Sequence, residues 1–478
     1  MHSRYPLLLN GRDTNARALV RTRLTRALTA SNTWSCTEYN SNNSWNVNFN
    51  NGNTNNNNKY NSNVVRAVSA LDDADISQWI DAYEDCCRHK KTSIQCSLYR
   101  MRYEYDLLQI AREVKSRTYR PSTSTTFVVT RPKLREIFAA NFRDRIVQHW
   151  ISLRIEPMLE YRFCQQGNVS FNCRKGFGVQ KAVSRLYDIM SEQTDGFKNK
   201  AWIGKFDIKS FFMSIDVKVL WSYLEAFIKE NYKERDIDTL LWLTKITIFH
   251  QPQNDCVKHG DLSLWDELPP HKSLFGAPVG IGMPIGNITS QLLANFYMSV
   301  FDGFILKELE TIGGGYIRFV DDFCIVCRNK QDVIDLFEKS KVFAKDVLHV
   351  SVHPDKFYLQ PVSHGVRFVG SMLAPHRVYL SGATLGNLYN ATQKMERLCR
   401  DVVMFGTTKA RLRRLNSALS SINSLLGFTR CNKSYGMRRK FFDDCVHLWK
   451  VCYMRGAYDV LVIRQKYRIG YYLHETDR

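Results

Sequence analysis

Apolar positions along the middle of the chain fall into short blocks that predict a small number of buried elements. The run Ala201-Trp202-Ile203-Gly204-Lys205-Phe206-Asp207 reads as a buried strand that ends on a carboxylate. Tyr316-Ile317-Arg318-Phe319-Val320-Asp321-Asp322-Phe323-Cys324-Ile325-Val326 reads as strand, turn and strand, with two adjacent aspartates at the tip. Gly282 to Tyr297 predicts a glycine-rich turn running into an amphipathic helix. Ser214 to Leu220 looks like a helix start with Asp216 as its N-cap. Residues 76–119 show helical spacing, with Trp79, Tyr83, Leu98, Tyr105, Leu108 and Ile110 as apolar positions. From Leu385 onward the pattern is that of basic helices, including Lys409-Ala410-Arg411-Leu412-Arg413-Arg414 and Met437-Arg438-Arg439-Lys440. The stretch 34–68 differs in kind: polar and Asn-rich, it predicts a disordered segment.

Charge narrows the partner. The chain has 478 residues and a formal net charge of +21, which suits a polyanion. With 44% hydrophobic residues it has ample material for a core, and its length predicts two to four subdomains. No run of about 18 apolar residues predicts a membrane span, and the apolar stretch near Met1 is too short for a signal peptide. The 13 cysteines lack paired metal spacing, so a reducing, cytoplasmic setting is expected. Cys324 and Cys327 fit a CxxC spacing but lie on an apolar strand, where packed thiols are expected. His250, Cys256, His259 and His271 match no standard zinc pattern.

Carboxylates are costly to bury, so two in succession within an apolar hairpin need a reason. An Asp-Asp turn facing solvent is one. The other uses Asp207 as a third carboxylate, brought from far upstream to a shared site. Mg²⁺ prefers oxygen ligands plus substrate phosphates. Two such ions stabilise the attacking and leaving oxygens of phosphoryl transfer. Gly286 permits close approach of backbone to a ligand, and the helix start that follows suits an anionic group.

The order of these segments resembles a reverse transcriptase. Phe206-Asp207-Ile208-Lys209-Ser210-Phe211-Phe212, Gly282-Met283-Pro284-Ile285-Gly286-Asn287-Ile288-Thr289-Ser290-Gln291 and Phe319-Val320-Asp321-Asp322 are similar to its A, B and C motifs. Val350 to Lys356 is similar to the lysine-bearing D motif and Val366 to Gly370 to the primer-grip E motif. Arg131 to Ile137 and Arg143 to Gln148 resemble the fingers of bacterial members. The likeness covers roughly residues 76–440. It implies an α+β right-hand polymerase: fingers at 71–200, an antiparallel palm sheet with flanking helices at 201–380, and a helical thumb at 381–478. It implies RNA-templated DNA synthesis from dNTPs, with template RNA and the cDNA/RNA hybrid as partners. Asp207, Asp321 and Asp322, with the Ile208 carbonyl, are then the holders of two Mg²⁺ ions, or of Mn²⁺ in their place. Lys356 becomes the acid that protonates the leaving pyrophosphate. Lys133 and Arg135 neutralise the triphosphate. Ser210, Phe211, Phe212, Ile285, Gly286 and Gln291 complete the nucleotide pocket, with Phe212 as a steric gate against the ribose 2′-hydroxyl. Phe319 stands where the family usually has Tyr.

Within the family, Ile285-Gly286 and Ser290-Gln291 resemble the enzymes of diversity-generating retroelements, as does Trp265 to Phe275. These copy a template RNA while misreading its adenines, and they imply a small basic accessory variability determinant protein as partner. An Ile at 285 cannot hydrogen-bond near the incoming nucleotide, which narrows the free-energy gap between right and wrong bases. The plainer reading is that Ile285 only packs beneath the motif. A group II intron or retron type enzyme is the alternative, and a non-catalytic RNA-binding or phage-defence protein on the same fold is another. Residues 1–70 read as translated template-repeat DNA, since Asn codons begin AA. Little chain remains after the thumb, so no RNase H, integrase or endonuclease domain is expected.

Overall fold

Burial of Ile203, Gly204 and Phe206 in β6 (Trp202–Asp207) and complete burial of the apolar residues of β9 (Asp322–Cys327) place these strands at the centre of the core. The computed structural model describes residues 32–38, 43–48, 54–58, 73–88, 94–130, 133–430 and 434–467. The chain divides into two compact units, residues 1–120 and 121–478.

In the first unit, three antiparallel strands pair in the order β1 (Asn32–Glu38), β2 (Asn43–Asn48) and β3 (Thr54–Asn58). Strands thus replace the disorder expected over these spans. Composition hid a period-two sequence alternation, Trp34/Cys36 and Trp45/Val47, and strand pairing satisfies backbone groups that a polar composition leaves to water. The rest of residues 1–72, including most of the segment read as translated repeat DNA, lies outside the described residues.

Helices follow at Asp73–Cys87, Ile94–Arg100 and Tyr103–Lys115. Trp79, Ile80 and Tyr83 are buried with Leu107, Ile110 and Val114, and Tyr83 stacks on Tyr103. Two expected apolar positions are corrected: Leu98 is 61% and Tyr105 67% exposed. The helical phase restarts at Ile94 and again at Tyr103, so the periodicity does not run through as one stripe.

The second unit begins with a sheet ordered β5 (Arg135–Ala139), β4 (Ser124–Val129), β7 (Cys256–Lys258). A 24-residue helix, Phe142–Gln165, follows. The central sheet runs β10 (Tyr358–Pro361), β6, β9, β8 (Gly315–Phe319), antiparallel throughout. Helix Val179–Gln193 covers one face, joining Ala182, Leu186 and Ile189 to Ile203, Ile317, Cys324 and Val326. On the other face Phe323 meets Phe206 at 4.2 Å and Phe301 of helix Ile288–Ile312 at 5.1 Å. Because β9 is covered on both sides, it reads as an unbroken apolar run rather than an alternating one. Cys324 and Cys327 are fully buried free thiols, as packing predicted.

A small sheet, β11 (Val366–Phe368), β12 (Ser371–Ala374) and β13 (Arg377–Leu380), leads to two long helices, Gly382–Phe405 and Lys409–Thr429. Their core is Leu388, Met395, Cys399, Leu415, Ile422 and Leu426. The C-terminal region is not wholly helical. After the helices Tyr435–Asp443 and Val446–Val451, β14 (Cys452–Arg455) pairs with β15 (Val460–Ile463), where a β-branched run follows a turn at Gly456. Among the described residues no helix is long and apolar enough to cross a membrane.

Candidate active site

The β6–β9 register sets Asp207 opposite Asp322. Phe319 pairs with Asp322 across the β8–β9 hairpin, leaving Val320 and Asp321 as its two-residue turn. Val320 has φ +61°, a left-handed conformation that strains a β-branched residue. The surroundings hold it there. Arg318 Nη1 donates to the Val320 carbonyl at 2.9 Å, and the Ile208 N–H donates to the Asp321 carbonyl at 3.2 Å. Arg318 is itself anchored: Nε and Nη2 donate to the Asp302 carboxylate at 2.7 and 2.6 Å, and both side chains are fully buried. The Tyr316 hydroxyl donates to the same carboxylate at 2.8 Å.

A cleft of about 720 Å³ opens beside this hairpin. Lys133 and Arg135 line it, as do Asp207, Ile208, Ser210, Phe211 and Phe212, then Ile285, Gly286 and Gln291, and finally Asp321 and Lys356. Residues from distant parts of the sequence therefore meet at one cavity. Asp322 does not line it. Its carboxylate turns instead to Lys205 Nζ at 3.0 Å.

Gly286 shows why the turn before helix Ile288–Ile312 needs glycine. Its φ is +125°, and a Cβ there would lie 2.5 Å from the Phe138 carbonyl oxygen. The Phe138 N–H donates to the Ile285 carbonyl at 2.7 Å, tying this turn to β5. Ile285 is half-buried against the cluster of Phe138, Met213 and Leu274, together with Phe212, and also faces the cleft. Asp216 caps helix Val217–Asn231, as its spacing predicted, accepting from Lys218 N and Val219 N.

At the hairpin tip the carboxylates crowd one another. Burial, with the Asp322 and Asp207 carboxylates beside it, pushes the Asp321 carboxyl up to about 6. Burial also raises Asp322, against the opposing pull of Lys205. Asp207 Oδ2 accepts from Lys356 Nζ at 2.5 Å, while Asp207 Oδ1 is buried with no hydrogen-bond partner. An orphaned carboxylate oxygen next to a destabilised carboxylate is a donor set that fits a hard divalent cation. Of the three carboxylates expected to share a site, Asp207 and Asp321 line the cleft, and Asp322 lies beside them, opposite Asp207. Among the described residues no three His, Cys, Asp or Glu side chains are grouped as a metal site, and Asp207 and Asp322 are each engaged by a lysine.

Several neighbours escaped the sequence reading. Asn172, Cys173, His271, Lys272 and His353 also line the cleft. Asn172, Cys173 and His353 lie in loops and His271 and Lys272 in a single 3₁₀ turn, where no apolar periodicity marks them. Glu136, fully buried, accepts from Trp265 Nε1 at 2.8 Å, Ser273 Oγ at 2.9 Å and Leu274 N at 2.7 Å, latching the 265–275 segment to β5. A lone Glu between Arg135 and Ile137 gave no hint of three partners more than a hundred residues away.

Comparison with known proteins adds the family. The reverse transcriptase (RNA-dependent DNA polymerase) family matches residues 130–373. Protein YkfC of Escherichia coli strain K12 is 24% identical over 304 residues, covering 56% of this chain and 72% of that protein. Among solved structures, telomerase from Candida albicans in complex with a TWJ fragment of telomeric RNA aligns with TM-score 0.41 and 12% identity, covering 73% of this chain and 63% of that one. An apo telomerase from Candida tropicalis, truncated from the C-terminal domain, aligns with TM-score 0.39 and 14% identity, covering 54% and 55%. The chain spans less than two thirds of either telomerase chain.

Proposed function

The chain belongs to the reverse transcriptase family of RNA-directed DNA polymerases, and from that membership we propose that the cleft beside Asp207 and Asp321 is the polymerase site. The observation that carries this reading is the meeting of Asp207, one of whose oxygens has no partner, and the destabilised Asp321 carboxylate with Lys133, Arg135 and Lys356 in one cavity. Asp207, Asp321 and the Ile208 carbonyl would hold Mg²⁺, with Asp322 alongside. Bound there, the ions would lower the charge on the triphosphate and favour the alkoxide form of the primer 3′-hydroxyl. The protein's own part is positioning. Lys133 and Arg135 orient the triphosphate, Arg by its planar fork. Lys356 keeps a proton at Nζ within reach of the leaving pyrophosphate. Phe212, packed on Phe211 at 5.5 Å and against the Phe138 cluster, is a rigid wall for the sugar. The 3′-oxygen attacks the α-phosphorus in line and the bond to the bridging oxygen breaks. In this reading the unit carries palm and thumb, with exposed Arg413 and Arg414 facing a hybrid backbone.

Within the family, the reading supported best is error-prone synthesis on an adenine-misread template RNA, as in diversity-generating retroelements. Ile285 supports it: the side chain offers only apolar contact at the cleft and is seated on Phe138 and Met213. An accessory variability determinant protein is the corresponding partner. Primer extension with Mg²⁺ on an RNA template tests the polymerase assignment. Asp207→Asn should lose synthesis by at least a thousandfold while retaining its fold, and near-normal extension by this variant would sink it. Sequencing the products tests the subtype. Errors spread evenly over the four template bases would favour a group II intron or retron type enzyme instead.

A further inference from the structure

Two lysines neutralise the two carboxylates that face each other across β6 and β9, and they are not equivalent. Lys356 sits on Asp207 with its side chain 54% exposed, so an arriving substrate can displace it. Lys205 is 25% exposed and fixed from three sides. Its Nζ bonds Asp322 at 3.0 Å, donates to the Arg367 carbonyl of β11 at 3.2 Å and lies 5.9 Å from the Phe368 ring centroid. Displacing it would break an ion pair, a hydrogen bond and a ring contact together. Asp207 is thus released on loading and Asp322 is not.

We propose that Lys205 is a positioning residue that withholds Asp322 from the cation site, so that cations are held by Asp207 and Asp321 alone, and that braces the catalytic hairpin against β11. This rests on the polymerase-site reading and deepens it. Asp322 stands directly opposite Asp207 in the register, so once freed it has Asp207 within reach. A third carboxylate, together with the loss of a nearby positive charge, strengthens cation binding while shifting the ion from its working position. Strand β11, cut from its brace, loosens where the resemblance places the primer end.

The test measures binding of Mn²⁺ alone to the full-length protein, by the electron paramagnetic resonance signal of the free ion, beside primer extension. Lys205→Met should bind Mn²⁺ more tightly, on the order of tenfold. It should also extend primers more slowly and show a raised KM for primer–template. Adding Asp322→Asn to Lys205→Met should return Mn²⁺ affinity to near the parent value. Lys205→Arg, which keeps the charge, should behave as the parent. If Lys205→Met does not fold, Lys205→Gln carries the same expectation. Mn²⁺ affinity unchanged or weaker in the Lys205 variants, or a gain that survives Asp322→Asn, overturns the proposal. Asp207→Asn and Asp321→Asn separate this from failure of the site itself. If both bind Mn²⁺ like the parent, the site reading falls and this proposal with it. If both lose binding while Lys205 has no effect, this proposal alone falls.

Discussion

Asp302 is the hidden support of the β8–β9 hairpin, and removing it should unsettle both the fold and the cleft beside it. It lies on helix Ile288–Ile312 and lines no part of the cleft, yet its carboxylate accepts from Arg318 Nε, Arg318 Nη2 and the Tyr316 hydroxyl. Both members of the ion pair are fully buried. Asp302→Ala leaves a guanidinium in the core with no counter-charge, and such half-removed pairs cost roughly 3–5 kcal/mol. Urea unfolding of parent and variant measures it. The double variant Asp302→Ala/Arg318→Met removes the stranded charge and should recover part of the loss. About 1–3 kcal/mol should remain for the unpaired Tyr316 hydroxyl. Primer extension should not recover with it, because Arg318 Nη1 no longer holds the Val320 carbonyl. A loss below about 1 kcal/mol in Asp302→Ala would refute this account. So would a double variant less stable than the single one.

Further outcomes follow from the cleft. Asp321 has a folded-state pKa raised from 3.8 to about 6, so its ionised form is a burden on the fold above that pH, and the burden shrinks as pH falls below 6 and is gone only below the ordinary carboxylate value. Asp321→Asn should therefore raise the melting temperature at pH 8, without added divalent cation, and lose that advantage progressively as pH falls from 6 to below 3.8. A pH-independent difference would contradict it. Phe212→Ala should admit ribonucleotides at least tenfold better relative to dNTPs, read from competitive incorporation, since the side chain lining the cleft is lost. A parental ratio would place the gate elsewhere. Ile285→Gln should lower errors at template adenines more than at other bases, read by sequencing cDNA, and an unchanged adenine error rate would remove Ile285 from fidelity control.

The parts of the site legible in the sequence were those whose chemistry conflicts with their surroundings. Aspartates in apolar strands, a glycine with backbone packed against its missing Cβ, and a long apolar run buried on both faces all announce themselves one-dimensionally. Asp207, Asp321, Gly286 and β9 were readable for that reason. The Asn-rich start misled, because composition spoke louder than the alternation that marks β1 and β2. The C-terminal hairpin of β14 and β15 was read through as helix because the basic helical pattern before it set the expectation.

The order of the elements, the carboxylate pair at a hairpin tip and the apolar character of position 285 are local properties, so the amino-acid sequence alone determines them. Partnership between side chains is different, since it depends on which strands become neighbours and in what register. Only the tertiary structure decided that Asp322 faces Lys205 rather than the cleft, that Glu136 latches Ser273 and Leu274, and that Arg318 spends its charge on Asp302. The Lys205–Asp322 pair joins residues 117 positions apart, through one antiparallel register. A one-residue slip of that register would turn Asp322 to the opposite face and dissolve the pair, which is why no linear reading of the chain contains it.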